Sequence, residues 1–408
     1  MKSDIKQRIT QLNKGEVPNG YKKTEFGVFP CDWVVDKTFG DLFDFYGGLG
    51  KSREELGDEG HAYLHYGDLH RGTFNVVSHE QYKHLPQYDV TLKGTETYLM
   101  EDGDVAFLDA SEDLEGTSRA VVIDNPDNDP FIAGLHIIYG KSKDDSLDKW
   151  YKQYITLPES VRKQFQKLAV GFKVYGLNRE TLPKIHLAYP ESTAEQSKIA
   201  EILMKWDEAI ELQEQYIEKL IIKQKYIMRK LLTPNDSWKT TTFEKIGRIY
   251  QPSTISESEL IESGYLVYGA NGIIGFYDKY NHEKSEVAIT CRGSTCGEVA
   301  FTQPKSWITG NAMVFSPDEE LLSKKFAYYL CTVRNFNNII SGSGQPQITR
   351  QALSKQKLSF PNKKEQNKIE CILTSVEETI TYNKNKLSFL YKQCKALQQY
   401  LLNGIVRV

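Results

Sequence analysis

The sequence predicts an α+β fold built twice in tandem, with largely antiparallel sheets and two long helices that pair antiparallel as a coiled coil, a pseudo-twofold repeat. Three features of the 408 residues point to it. A stretch near the middle returns near the end, two matched helical seams follow the two occurrences, and short β-type runs separated by turn residues fill the rest.

The repeat is direct. "GFKVYGLNRETLPKIHLAYP" at 171–190 lies over "GSGQPQITRQALSKQKLSFP" at 342–361, so that Gly171, Arg179, Leu182, Lys184, Leu187 and Pro190 return as Gly342, Arg350, Leu353, Lys355, Leu358 and Pro361. One deleted residue later, Glu195-Gln196 with Lys198-Ile199 returns as Glu365-Gln366 with Lys368-Ile369. Further back, "FIAG" at 131–134 pairs with "WITG" at 307–310, and "YLHYG" at 63–67 with "YLVYG" at 265–269. A period near half the chain is too long for a solenoid and implies two copies of a whole domain.

In chain order, residues 1–20 read as a helical arm and 21–190 as the first domain. Its strands are expected in "YLHYGDL", "DVAFLDA", "RAVVIDN" and "GLHIIYG", and a helical patch at 146–168. Residues 191–233 form the first long helix. The second domain, 234–361, carries strand-like "SEVAITCRG", "GEVAFTQ" and "NAMVFSP" and a helical patch at 321–340. Residues 362–408 form the second long helix. Prolines stop strand extension just before each helix begins.

The helices carry the strongest pattern. Ile199, Leu203, Trp206, Ile210, Gln213, Ile217, Leu220, Gln224, Ile227 and Leu231 alternate spacings of four and three, and Ile369, Leu373, Val376, Ile380, Asn383, Leu387, Leu390, Cys394, Leu397 and Leu401 repeat them. This is a coiled-coil seam. The first helix leads from one domain to the other, so the second buries its seam against the first only by running back. Charge agrees: residues 195–214 carry six acids and two lysines, whereas 215–232 carry one acid and five bases. Antiparallel pairing sets acid against base and suits both helix dipoles. Gln213 and Asn383 fall near the crossing, where a polar pair fixes register at a cost in stability.

Composition narrows the function. With 40% hydrophobic residues the chain can bury substantial cores, no window of eighteen apolar residues occurs, and "MKSDIKQRITQLNKG" lacks the apolar run of a signal peptide, so a cytoplasmic protein is expected. Six scattered cysteines without a CxxC pair are expected as reduced thiols. The net charge of −3 confines any nucleic-acid binding to local patches.

Motifs for catalysis are missing: no P-loop, GxGxxG after a strand, HExxH or GxSxG occurs. "DNDPF" at 127–131 lacks the second proline of an amino-methyltransferase loop, and no glycine-rich cofactor loop precedes it. His61, His65 and His70 would lie too far apart along a strand, about 13 Å per four residues, to share a metal. Cys291 and Cys296 lack further ligands. What remains are glycine-bearing polar loops: "GGLGKSREE" and "YGDLHRG" in the first copy, "YGANGIIGFY", "CRGSTCG" and "SGSGQPQITR" in the second. Their Arg, Lys, Asn and Gln suit base edges and their Ser and Thr suit phosphates. The DNA-contact candidates are Lys51, Ser52, Arg53, His70, Arg71, Asn271, Arg292, Ser294, Thr295, Gln345, Gln347 and Arg350.

On "YGANGIIGFY", "CRGSTCGEVAF", "WITGNAMVF", "SGSGQPQIT" with "LSFPNKKEQNKI", and in the first copy "FLDASEDLEGTSRAVVI" with "FIAGLHIIY", residues 21–402 resemble the specificity subunit of type I restriction-modification systems. The resemblance implies two target recognition domains, each reading one half of a bipartite asymmetric DNA site, with the helices setting the spacer. It also implies two modification subunits that hold S-adenosylmethionine and methylate adenine, and ATP-dependent restriction subunits that use Mg. No cofactor, metal or catalysis is expected on this chain. A coiled-coil scaffold with two non-DNA binding domains and a self-contained methyltransferase are the alternatives, the latter disfavoured by the missing cofactor loops.

Overall fold

The computed structural model describes residues 2–71, 76–78, 84–89, 96–111, 118–168, 175–342 and 344–408. The chain divides into two units, Met1–Leu212 with Leu387–Val408, and Gln213–Lys386. The N-terminal arm is a helix, Lys2–Asn13.

Each unit holds the same two sheets. In the first, the larger sheet orders Phe43–Gly47, Ile137–Ser142, Val105–Leu108, Ala120–Asp124 and Val76–Ser78, and the smaller orders Phe131–Ala133, His61–Leu64 and Gln87–Tyr88. In the second, Gly247–Tyr250, Ala312–Pro317, Val287–Thr290 and Val299–Phe301 repeat the larger order, and Trp307–Ile308, Tyr265–Gly269 and Gly272–Tyr277 the smaller. Pairing is antiparallel except for Val76–Ser78 on Ala120–Asp124 and the matching pairs formed by Phe131–Ala133 and Trp307–Ile308.

The uninterrupted apolar runs have a reason. Side chains alternate across a strand, and both sheet faces are covered. Val105, Phe107, Val122 and Ile138 face the core that includes Phe39, Tyr151 and Phe165, while Ala106, Leu108, Val121 and Tyr139 face the core shared with Leu64 and Phe131. In the second unit Val287, Ile289, Met313 and Phe315 face one core, and Ala288, Ala312 and Val314 the other.

Two expected elements differ. "YLHYGDL" is not one strand: His61–Leu64 ends before a short helix, Tyr66–Arg71, because His65 Nδ1 accepts the Gly67 N–H at 3.1 Å and turns the chain. "YGANGIIGFY" is a hairpin rather than a loop, since Gly269 pairs with Gly272 and only Ala270 and Asn271 remain in the turn. Gly272 stands at φ 75°, which lets the second strand start directly after the turn. The recurrent Gly171 lies outside the described residues.

The long helices run Thr193–Leu231 and Lys363–Leu402. In the first unit, Ile199 and Leu203 from the start of one share a core with Leu401 and Leu402 from the end of the other. In the second unit, Met228 and Leu232 share a core with Ile369 and Leu373. The pair is therefore antiparallel. Leu203, Ile210, Gln213, Ile217, Leu373, Ile380 and Asn383 are buried, and Trp206, Leu220, Val376, Leu387 and Leu390 half-buried. Towards the end of the first helix burial passes from Ile227 and Leu231 to Met228 and Leu232, as expected when a 3.6-residue helix drifts against a 3.5-residue repeat. Gln213 donates to Asn383 at 2.9 Å across 170 residues, the offset of the repeat itself. In an antiparallel pair of equal helices, one position meets its own counterpart only at the crossing.

Each domain is fixed to its helix by one buried glutamine. Gln196 accepts the Asp148 N–H at 2.7 Å and donates to the Ser146 and Pro190 carbonyls at 2.8 Å. Gln366 accepts the Ser323 N–H at 3.1 Å and donates to the Leu321 and Pro361 carbonyls at 2.9 Å. One turn or more further on, Tyr154 donates to Asp207 at 2.7 Å and Tyr329 to Glu377 at 3.0 Å. The repeated "EQ" is thus a junction. Gln196→Ala or Gln366→Ala strands three backbone groups, one buried and two part-buried, and should cost about 1–3 kcal/mol, read as a lowered unfolding midpoint of the affected unit in denaturant.

Burial pushes the Asp104 carboxyl up to about 7, against the Glu101 N–H that it accepts at 2.8 Å. A folded value above the unfolded one, near 4, means that the native state binds the extra proton between the two. Stability should therefore fall as pH rises from about 4 to 7, by at most about 1.4 kcal/mol per unit. Asp104→Asn keeps the acceptor and should flatten this slope in urea titrations at pH 5 and pH 8.

Candidate nucleic-acid interface

In the second unit three separate segments converge. The hairpin turn at Ala270–Asn271 is held by Thr290 and Thr295, whose hydroxyls donate to the Ala270 carbonyl at 3.1 and 2.6 Å, and Thr295 also reaches Asn271 Oδ1 at 3.1 Å. The loop after Thr290 is tied to the stretch 341–348: Gly293 N–H donates to the Pro346 carbonyl at 3.1 Å, Ile348 N–H to the Cys291 carbonyl at 3.0 Å, and Arg292 bridges Gln347. Gln347 and Ser341 exchange both backbone bonds at 2.8 Å. Gly293, at φ 93°, reverses the loop where an added Cβ would meet nothing.

Of the seven second-copy candidates, the structure therefore gathers Asn271, Arg292, Ser294, Thr295, Gln345 and Gln347 on one rim, with Arg350 two residues beyond Ile348 at the start of the helix Arg350–Ser354. All are exposed except Thr295, which is half-buried. The Arg292 and Arg350 guanidinium groups make no hydrogen bond or ion pair among the described residues. Charged donors in this state are available to an acceptor such as guanine O6/N7 or phosphate oxygen. Cys291 lies beneath, its thiol pushed up by burial, with Gln251 donating to its sulfur at 3.2 Å.

The first-copy charges are engaged instead. Lys51 pairs with Glu55 at 2.8 Å, and Arg53 grips Asp68 with both terminal nitrogens. The Ser52 N–H and hydroxyl also bond Glu55, at 2.9 and 3.1 Å. Lys51 foremost, then Ser52, holds the Glu55 carboxyl down at about 2. Buried Tyr63 anchors the loop: its hydroxyl accepts from Lys51 N–H at 3.1 Å and Leu135 N–H at 2.8 Å. His70 and Arg71 close the short helix, and their side chains lie outside the described residues. Among the described residues no group of His, Cys, Asp and Glu could hold a metal, and the six cysteines are free thiols.

A pair that the sequence reading did not place among the contacts stands at the corresponding rim of the first unit. Asp109 ends the strand Val105–Leu108 as Cys291 ends Val287–Thr290. Leu177 N–H donates to the Asp109 carbonyl at 2.7 Å as Ile348 does to Cys291, and Asp109 N–H to the His136 carbonyl at 3.2 Å as Cys291 does to Asn311. Asp109 Oδ1 lies 2.9 Å from His136 Nδ1. His136 corresponds to Asn311, and Leu135 is one extra residue between Gly134 and His136 where Asn311 directly follows Gly310, which marks a local change between the copies.

Two copies of one fold, each presenting polar loops and joined through paired helices, define a tandem recognition protein. The chain belongs to the family described as type I restriction modification DNA specificity domain, which it matches over residues 30–221 and 235–390. It is similar to the type I restriction enzyme EcoprrI specificity subunit of Escherichia coli, at 27% identity over 161 residues that cover 38% of this chain and 40% of that relative. Its fold is similar to that of the type I restriction-modification system S subunit from M. genitalium, at a TM-score of 0.56 and 16% identity over 95% of this chain and 97% of the other. A chain solved in work on the complex assembly and conformational transition of the type I R-M system gives a TM-score of 0.59 and 12% identity, over 96% and 100%.

Proposed function

We propose that this specificity subunit reads a bipartite, asymmetric DNA site, one half with each domain, and that the paired helices set the spacer and dock two modification subunits. S-adenosylmethionine chemistry then lies on those subunits and ATP-dependent cleavage on restriction subunits, with this chain supplying no catalytic group. The complex works in the cytoplasm, where the chromosome is. Among the described residues no helix is long and apolar enough to cross a membrane.

One observation carries the reading: the same backbone scaffold is built twice, and the side chains at the equivalent rims differ, Cys291-Arg292 in one copy and Asp109-Ala110 in the other. Unlike half-sites follow from unlike rims. An acidic chain is compatible with this because partner subunits can supply the phosphate-clamping charge.

Replacing residues 21–190 with the recognition domain of another specificity subunit should change one half of the methylated site and leave the other intact; changes in both halves would contradict separate reading. Within the second domain, Arg292→Ala, Gln345→Ala and Gln347→Ala should each cost about 1–3 kcal/mol and relax one position if they touch base edges, or weaken all sequences alike if they touch phosphate. Titration of the complex with cognate and scrambled duplexes separates these, and unchanged affinity in all three variants removes the rim from the interface.

The helices give a second measurement. One heptad added to both at matched positions keeps the seam in phase and adds ~10 Å. At about 3.4 Å per base pair the spacer in the methylation motif should grow by ~2–3 base pairs, or activity should fail. The original spacer with full activity would mean that the helices do not set it.

A further inference from the structure

Resting on the DNA-reading function above, we infer that Asp109 is a specificity-determining residue of the first domain, with His136 as its positioning residue. Its ligand is a base bearing an exocyclic amine in the major groove, cytosine through N4 or adenine through N6.

The argument starts from the equivalence of the two rims. Two backbone hydrogen bonds fix Asp109 in the place of Cys291, so Ala110 takes the place of the exposed Arg292 and Gly176 that of Gln347. At these two positions the first rim therefore has neither the Arg292 guanidinium nor the Gln347 amide of the second. The first-copy candidates Lys51 and Arg53 are already ion-paired. The Asp109 side chain remains 31% exposed and that of His136 45%.

The chemistry of the pair is directional. A carboxylate only accepts, and major-groove amines of cytosine and adenine are the base-edge donors that it suits. His136 Nδ1 occupies Oδ1 at 2.9 Å, which orients the group and leaves Oδ2 to accept from a ligand. Tyr66 packs against the His136 ring in an edge-to-face contact at 5.3 Å. His136 holds this place at φ 62°, a conformation that non-glycine residues adopt sparingly and that recurs at functional sites. Burial pushes the Asp109 carboxyl up, opposed by His136, as expected for a group held in a partly dry recess.

The test is selection of bound duplexes from a library with randomised positions, using the complex purified with the full chain. Wild type should select a bipartite motif; failure to select any sequence would overturn the DNA-reading function itself rather than this assignment. Asp109→Ala should lose about ten- to hundred-fold discrimination at one cytosine or adenine position of one half-site, while the other half-site, which reports an intact complex, stays as in wild type. Asp109→Asn, which preserves shape, should turn a cytosine at that position towards adenine, or, where wild type selects adenine, should sharpen that choice against cytosine. His136→Ala should relax the same position, and His136→Asn, which tolerates the left-handed backbone and keeps an amide donor, should restore it. An unchanged motif in both Asp109 variants, or loss of both half-sites in both, overturns the assignment.

Discussion

The buried amide of Gln196, and its counterpart in Gln366, is the constraint on which the rest of the molecule depends. Each closes three hydrogen bonds with backbone groups from two places in its domain, at the first turns of a helix about forty residues long. A helix is a stiff element, but it can act as a spacer only if what it carries cannot pivot on its end. A glutamine with acceptor and both donors used leaves no free rotamer. The acid further along, Asp207 or Glu377, adds a second point of attachment through a tyrosine of the same domain.

From that junction the division of labour in the fold follows. The strands are covered on both faces, so their side chains are committed to packing and carry no recognition chemistry. On the proposed reading, recognition falls to the strand ends, where Thr290 leads into Arg292 and Leu108 into Asp109. There the backbone is held by the same ladder of bonds in both units while the side chains differ. A scaffold of this kind can change what it reads without changing how it folds.

Much of this was legible in the sequence, because it depends on periodicity. The seams from Ile199 to Leu231 and from Ile369 to Leu401, the duplication, and the polar pair at Gln213 and Asn383 all follow from spacing and reappear in the structure. The "EQ" repeat was visible but its role was not, since nothing local shows that the carbonyls of Ser146, Pro190, Leu321 and Pro361 converge on it. The engagement of Arg53 was equally hidden, as its partner Asp68 is fifteen residues away and reaches it only after the chain turns at His65. Three glycines made residues 268–277 resemble a loop, although one of them, Gly272, lets a hairpin turn tightly. In the second unit the gathered rim needed long-range backbone pairing between 291–293 and 346–348, which no linear pattern encodes.

The account stands or falls on whether this chain dictates a two-part address on DNA. The most direct measurement is a genome-wide map of methylated adenine in host cells with and without the gene. The account predicts a motif of two unlike halves separated by a fixed spacer, present with the gene and lost without it. A motif that persists in its absence, or a gene-dependent motif with no second half, would contradict it.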